Sequence, residues 1–156
     1  TAVLANGGDY HTPHLVKAIQ NTALKTQRPT RQEPSHRIAL KREHVREVTE
    51  ALEQVTLTGT ARRAFSGVQY PVAGKTGTAQ LFNLKGSKYK KDDVDERLRD
   101  HSLFMGFAPS RAPTIALAIL VENAGWGSEV AAPIAREVFD AWILRKDGAL
   151  AQSRTP

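Results

Sequence analysis

The chain contains no cysteine among its 156 residues. This absence excludes a disulfide framework and a thiolate metal site, and it is compatible with an oxidising compartment such as the periplasm. No apolar run approaches the ~20 residues of a membrane span, and the longest, residues 115 to 121, fits a buried strand. Residues 1–8 lack an initiator methionine, a basic leader and a signal-peptide core. We therefore expect a piece excised from a longer protein.

The composition, with 40% hydrophobic and 24% charged residues, is typical of a soluble globular domain. A chain of this length can bury roughly two thirds of the surface that its unfolded form exposes. The net charge of +6 favours an anionic partner such as nucleic acid, an anionic lipid surface or a carboxylate-rich polymer. A solvated basic face without a partner explains the charge equally well. The sequence has no basic face interleaved with aromatic residues, as a nucleic-acid-binding module would have. We therefore expect no nucleic-acid partner.

The N-terminal half predicts two helical segments and one strand. Residues 4–9 indicate a helix end with an Asn/Gly stop, and residues 15–19 alternate like a short strand. Residues 21–36 are polar and proline-containing, which predicts a loop. Apolar residues at helical spacing then predict an amphipathic helix from Lys41 to Val55, which Thr58 to Thr60 stop.

The C-terminal half predicts three strands and a final helix. The strands are residues 72–81, 102–108 and 114–121, and the prolines of residues 109–113 favour a hairpin between the last two. After a turn at 122–128, a helix runs from near Pro133 to about Leu144, with Val130, Ile134, Val138 and Ala141 or Trp142 on its core face. We predict a disordered tail at 147–156. The fold class is therefore α/β (α+β), an antiparallel sheet with helices packed on one face.

The sequence Lys75-Thr76-Gly77-Thr78 places a cation, two hydroxyls and a side-chain-free position together. Such a segment is equipped to hold a carboxylate beside a reacting carbonyl. K-T-G is one of three elements of penicillin-interacting serine acyltransferases, the others being S-x-x-K and a second serine motif. A surface strand with solvated Lys and Thr side chains is the alternative interpretation.

The other two elements are missing before the K-T-G motif. Ser87 to Lys90 fits S-x-x-K, but it follows the motif and lies in a hydrophilic, lysine-rich segment that offers no burial to depress a lysine pKa. We therefore reject Ser87 as a nucleophile. His11 and His14 flank Pro13 without a third ligand at regular spacing, so we predict neither a metal nor a cofactor.

Four sequence blocks, at residues 75–80, 96–101, 104–109 and 121–123, carry a resemblance to a known family. In these blocks and in their order, the chain resembles the C-terminal part of the penicillin-binding protein 2 family, the elongation-type class B D,D-transpeptidases. The resemblance covers about residues 1–145, and we assign residues 1–146 to the C-terminal portion of such a domain. It implies a serine acyl-enzyme that cross-links peptidoglycan stem peptides ending in D-Ala-D-Ala and is the target of beta-lactams. Another penicillin-recognising protein (a D,D-carboxypeptidase, beta-lactamase or sensor) is the alternative.

The resemblance also implies roles for the motif residues. Lys75 supplies positive charge to the substrate carboxylate and to the second serine motif, and the Thr76 and Thr78 hydroxyls hydrogen-bond that carboxylate. Gly77 leaves room for the substrate backbone. The Thr78 backbone N–H is an oxyanion donor. Residues 96–101 are expected to shape a loop over this strand, and residues 123–128 to form a turn.

The resemblance further implies partners and a location for the parent protein. We expect a periplasmic domain anchored in the bacterial inner membrane, assembled with membrane proteins of the elongation machinery that include a glycosyltransferase. The nucleophile would come from the missing N-terminal part of the same domain. The isolated chain is expected to be soluble and inactive, and to self-associate through exposed apolar sheet surface.

Overall fold

The computed structural model describes residues 1–13, 15–16, 18–21, 23, 25–29, 36–81 and 95–144. The predicted tail at 147–156 and the Ser87 segment lie outside these residues. Within them, no helix combines the length and the apolar character that crossing a bilayer requires. The helices are α1 (Ala2–Ala5), α2 (Arg42–Leu57) and α3 (Ala131–Ile143), with a short 3-10 turn at Glu96–Leu98.

The main sheet has three antiparallel strands, β5 (Ala73–Ala79), β6 (His101–Ala108) and β7 (Ile115–Val121). Strand β6 lies between the other two. Two small antiparallel ladders precede them, β1 (Asp9–Tyr10) with β4 (His36–Arg37) and β2 (Ala18–Asn21) with β3 (Thr26–Pro29). The predicted fold class, the three strands of the main sheet and the hairpin between the last two are confirmed.

The core lies between this sheet and the helices. Helix α2 packs on β5, and α3 packs on β6 and β7. Phe104 of β6 stacks on Phe65 with 5.4 Å between ring centroids, and Phe139 of α3 lies 6.3 Å from Phe65. All three rings are buried. Because Phe65 belongs to the segment between α2 and β5, this cluster fixes the approach to the strand that carries the motif.

The predicted core face of α3 was wrong. Ile134 and Val138 are each 41% exposed, whereas Ala131, Ala135 and Phe139 are completely buried. The helix carries two apolar stripes at i, i+4 spacing, and periodicity alone does not choose between them. The alanines are small enough to let the helix lie close to the sheet, while Phe139 fills the remaining core volume.

The predicted loop at 21–36 was also wrong in part, because Thr26–Pro29 pairs with Ala18–Asn21 in a hairpin. Lys25 has φ +49°, a left-handed value that allows the tight reversal. Ile19, Gln20 and residues 27–29 are all exposed, so these residues show no apolar and polar alternation that would signal the strands. The strand predicted at 15–19 begins only at Ala18. Helix α2 is confirmed and extends to Leu57. Val48, one of the apolar residues at helical spacing in this helix, is 46% exposed.

A hydrogen-bonded network anchors α3 to the segment before β5. The Tyr70 hydroxyl donates to Asp140 Oδ1 at 2.6 Å, and Arg136 Nε donates to Asp140 Oδ2 at 2.6 Å. Burial, reinforced by the hydrogen bond and the charge of Asp140, raises the pKa of the Tyr70 phenol above its ordinary value. The phenol therefore stays protonated and remains a donor to Asp140.

Replacing Ser102 with alanine is expected to lower the free energy of unfolding by about 1–3 kcal/mol. The fully buried Ser102 hydroxyl donates to the Trp126 carbonyl at 3.1 Å and accepts from the Ala131 N–H at 3.1 Å. Alanine leaves both backbone groups without this partner. Urea unfolding of the chain measures the loss. A matched variant, Ser66→Ala at an exposed position, should change stability by less than about 0.5 kcal/mol, and equal effects of the two would contradict the assigned role of Ser102.

Candidate active site

The Lys75-Thr76-Gly77-Thr78 motif lies on β5, at the edge of the main sheet. Strand β6 pairs with one side of β5, where Lys75 is opposite Met105 and Gly77 is opposite Leu103. No strand in the described part of the chain pairs with its other side. An edge strand presents a row of backbone donors and acceptors to which an extended peptide can add. The motif is therefore extended and accessible from one edge.

Side chains of the motif alternate between the two faces of the sheet. Lys75 is exposed, and its Nζ donates to the Thr76 carbonyl at 2.8 Å. Thr76 is partly buried on the opposite face, where its Oγ1 lies 2.7 Å from Thr60 Oγ1. Gly77 and Thr78 are partly buried. The four predicted site residues are thus contiguous on an accessible strand, and their individual roles remain predictions.

The turn before α3 lies directly against the motif. A Cβ added to Gly127 would clash with the carbonyl oxygens of Gly77 and Leu103, so only glycine permits this approach. The neighbouring Trp126 ring is 44% exposed. Its carbonyl accepts the Ser102 hydrogen bond described above, which fixes the turn to β6. Residues 123–128, predicted as a turn, therefore border the candidate site.

The segment at 96–101 is tied to the same turn. Asn123, with φ +54°, donates from Nδ2 to the carbonyls of Arg97 and Arg99 at 2.8 and 3.2 Å. Its backbone N–H donates to His101 Nδ1 at 3.0 Å. His101 pairs with Ala79 at the end of the motif strand. These contacts place the segment at that end of β5, and its influence on a loop over the strand remains a prediction.

The outer face of the sheet carries an apolar hollow of about 340 Å³ beside the motif. Its lining includes Lys75, Gly77, Leu103, Met105 and Leu120, of which Met105 is 49% and Leu120 57% exposed. Met105 and Leu120 are exposed as predicted for apolar sheet surface, although α1 contacts β7 and the Thr1 hydroxyl lies 3.3 Å from Met105 Sδ. Self-association through this face remains a prediction.

Two residues that border the motif were not assigned to the site from the sequence. Thr60 was interpreted only as part of a helix stop, and Gly127 only as part of a turn. Both contacts join segments far apart along the chain, so local patterns carry no signal of them. The predicted absence of a metal site rests on the sequence; His14 lies outside the described residues, and those that are described contain no group of three or more metal-ligating side chains.

An accessible K-T-G edge strand, backed by helices in an α+β fold, defines the class of penicillin-interacting serine acyltransferases. The comparison with known families agrees with this class and narrows it. The chain belongs to the family of penicillin-binding protein transpeptidase domains, whose family model matches residues 1–140. The resemblance to penicillin-binding protein 2 is also confirmed by individual relatives.

The peptidoglycan D,D-transpeptidase MrdA of Haemophilus influenzae is 37% identical over 150 residues, which are 94% of this chain and 23% of that protein. A solved structure of Pseudomonas aeruginosa PBP2 in complex with WCK 5153 matches with a TM-score of 0.71 and 37% identity. The match covers 95% of this chain and 30% of the PBP2 chain. A structure described as showing coordination of polymerization and crosslinking by a peptidoglycan synthase complex matches at 26% identity and TM-score 0.65, covering 94% of this chain and 22% of that one. The chain thus spans less than a third of each of these relatives.

Proposed function

We propose that this chain is part of a peptidoglycan D,D-transpeptidase and supplies the strand that holds the donor stem peptide. The observation that carries the proposal is the motif Lys75 to Thr78 on an accessible edge strand of a transpeptidase-family domain. Relatives that match most of this chain are named as D,D-transpeptidases, which favours this function over a carboxypeptidase, a beta-lactamase or a sensor.

The proposed reaction is an acyl transfer in two steps. A serine Oγ from outside this chain attacks the carbonyl carbon between the two terminal D-Ala residues, and the terminal D-Ala leaves as an amine that takes up a proton. An amine of a second stem peptide then attacks the acyl ester, which forms the cross-link amide and breaks the ester bond, and the serine oxygen takes up the proton that the amine loses. A beta-lactam presents an equivalent carbonyl to the serine, but its ring opens without releasing a fragment. The serine ester therefore persists.

The residues of this chain act on the substrate at two points. The Thr76 and Thr78 hydroxyls hydrogen-bond its terminal carboxylate, and Lys75 supplies positive charge to it. The Thr78 backbone N–H faces the oxygen that becomes negative in the tetrahedral intermediate. Gly77 carries no side chain, which leaves room for the substrate backbone beside this strand.

The proposal extends to assembly and location. The parent protein would be held in the bacterial inner membrane, with this domain in the periplasm, where stem peptides are cross-linked. Its partners would be membrane proteins of the elongation machinery, including a glycosyltransferase. The synthase complex that resembles this chain couples polymerization to crosslinking, which supports such a partner.

A chimera tests the proposed function. Residues 1–144 of this chain replace the aligned residues of Haemophilus influenzae MrdA, and the purified chimera is incubated with fluorescent penicillin. We expect labelling of one serine in the MrdA part and cross-linking of stem peptides, measured as dimer formation. A folded chimera that is never labelled would overturn the proposal. Release of D-Ala without dimer formation would indicate a carboxypeptidase instead.

The isolated chain is expected to form no covalent adduct with penicillin. The reason is that the only S-x-x-K sequence of the chain, at Ser87, follows the K-T-G motif. Intact-protein mass spectrometry after incubation with benzylpenicillin measures the adduct, and the chimera provides the positive control. A stoichiometric adduct on the isolated chain would show that it carries a working nucleophile.

A further inference from the structure

We propose that Thr60 is a positioning residue that orients the Thr76 hydroxyl toward the substrate carboxylate. This proposal rests on the proposed function and adds a residue outside the K-T-G motif to it. Thr60 follows α2, sixteen residues before its partner in the chain, and its Oγ1 lies 2.7 Å from Thr76 Oγ1. That distance is typical of a well-formed O–H···O hydrogen bond.

The backbone on both sides of Thr60 is held in place. The Gly59 N–H donates to the Gln54 carbonyl at 2.8 Å, and the Ala61 N–H donates to the Val55 carbonyl at 3.0 Å. Ala61 is completely buried, and a Cβ on Gly59 would lie 2.9 Å from Val55 Cα. The turn is thus tight and anchored to the end of α2. Thr60 is exposed between these two fixed residues, so its hydroxyl is delivered to Thr76 by rigid backbone.

The direction of the hydrogen bond follows from counting protons. A threonine hydroxyl has one proton to donate and two lone pairs that accept. A carboxylate is acceptor-only, so a Thr76 hydroxyl that binds it has used its single proton. Thr60 must then donate to the Thr76 oxygen. A hydroxyl that accepts such a bond is polarised and becomes a stronger donor. Removal of the Thr60 hydroxyl therefore has two effects. The Thr76 hydroxyl can rotate away from the ligand, and the hydrogen bond that it donates to the ligand becomes weaker.

The surroundings of this hydroxyl pair suit an anion. A hollow of about 490 Å³ beside Thr60 is lined by Thr58, Gly59, Arg62, Arg63, Ser128 and Glu129. Both arginines are exposed cations and lie two and three residues after Thr60. The hollow beside Thr60 is therefore lined by two positive side chains and one negative side chain.

Acylation kinetics of the chimera described above test this role. Penicillin with a free carboxylate is compared with its methyl ester, in which the carboxylate is masked. Thr60→Val keeps the side-chain shape and removes the hydroxyl, and we expect a fivefold to tenfold loss of the second-order acylation rate for the acid. The ester should show less than a twofold change. Thr60→Ser should restore the rate to within twofold.

Two further variants separate positioning from a structural effect. Ser66→Ala removes an exposed hydroxyl that does not line this hollow, and it should leave the rate for the acid within twofold. In a Thr76→Val background, Thr60→Val should cause no further loss, because the two hydroxyls act as one unit.

Three outcomes would overturn the role of Thr60 and leave the proposed function standing. They are equal losses of acylation rate for the acid and the ester, an additional loss of rate on the Thr76→Val background, and a Thr60→Val chimera that is acylated at the unsubstituted rate. A folded chimera that penicillin does not acylate at all would instead overturn the proposed function, and this role with it.

Discussion

Replacing Phe139 with alanine is expected to lower the free energy of unfolding by about 3–5 kcal/mol. The Phe139 side chain is completely buried on α3 and lies 6.3 Å from the Phe65 ring. Its removal takes away apolar contacts and leaves a cavity between α3 and the segment that leads into β5. A loss of this size is a large fraction of the stability of an ordinary domain.

The neighbouring Val138 supplies a matched control for this prediction. It is one residue away on the same helix, but it is 41% exposed. Val138→Ala should cost less than about 1 kcal/mol, since little of its surface leaves water on folding. Urea unfolding followed by circular dichroism measures both variants in the isolated chain. Equal destabilisation by the two substitutions would contradict the assignment of the buried stripe.

The contrast between these two residues shows where sequence interpretation of the fold reaches its limit. Apolar spacing predicted α2 and α3 as helices, and the prolines between β6 and β7 predicted their hairpin. In α3, however, residues 130, 134 and 138 and residues 131, 135 and 139 form adjacent apolar stripes. Which stripe is buried depends on how closely the helix approaches the sheet. That distance is set by tertiary packing and has no local signal.

The residues of the candidate site likewise include some that the sequence could predict and some that it could not. The K-T-G strand was predictable because its four residue types are contiguous and chemically unusual together. Thr60 and Gly127 were not, because each meets β5 only after distant segments have packed. Gly59 did indicate the end of α2, and the position of Thr60 just after a helix stop was the only hint that it turns back toward the sheet. A sequence pattern identifies a motif more readily than the residues that orient it.

Replacing Thr78 with proline is expected to reduce acylation of the chimera by 10²–10³-fold relative to Thr78→Ala, equivalent to about 2.7–4 kcal/mol. Both variants lack the hydroxyl, but only proline removes the backbone N–H that we assign to the oxyanion. Successive residues of a strand direct their backbone groups to opposite edges. If the Thr78 N–H serves the substrate, it faces the free edge of β5. Proline is tolerated on edge strands when its missing N–H would face away from the sheet.

Ala79 provides the control for backbone damage in this experiment. By the same alternation, its N–H faces β6, where Ala79 is paired with His101. Ala79→Pro should therefore lower the melting temperature of the chimera, whereas Thr78→Pro should leave it close to the unsubstituted value. Acylation is measured by stopped mixing with a chromogenic beta-lactam, and melting by circular dichroism. If Thr78→Pro melts at as low a temperature as Ala79→Pro, the Thr78 N–H is part of the hydrogen bonding of the sheet. If Thr78→Pro is acylated as fast as Thr78→Ala, the Thr78 N–H has no part in the reaction.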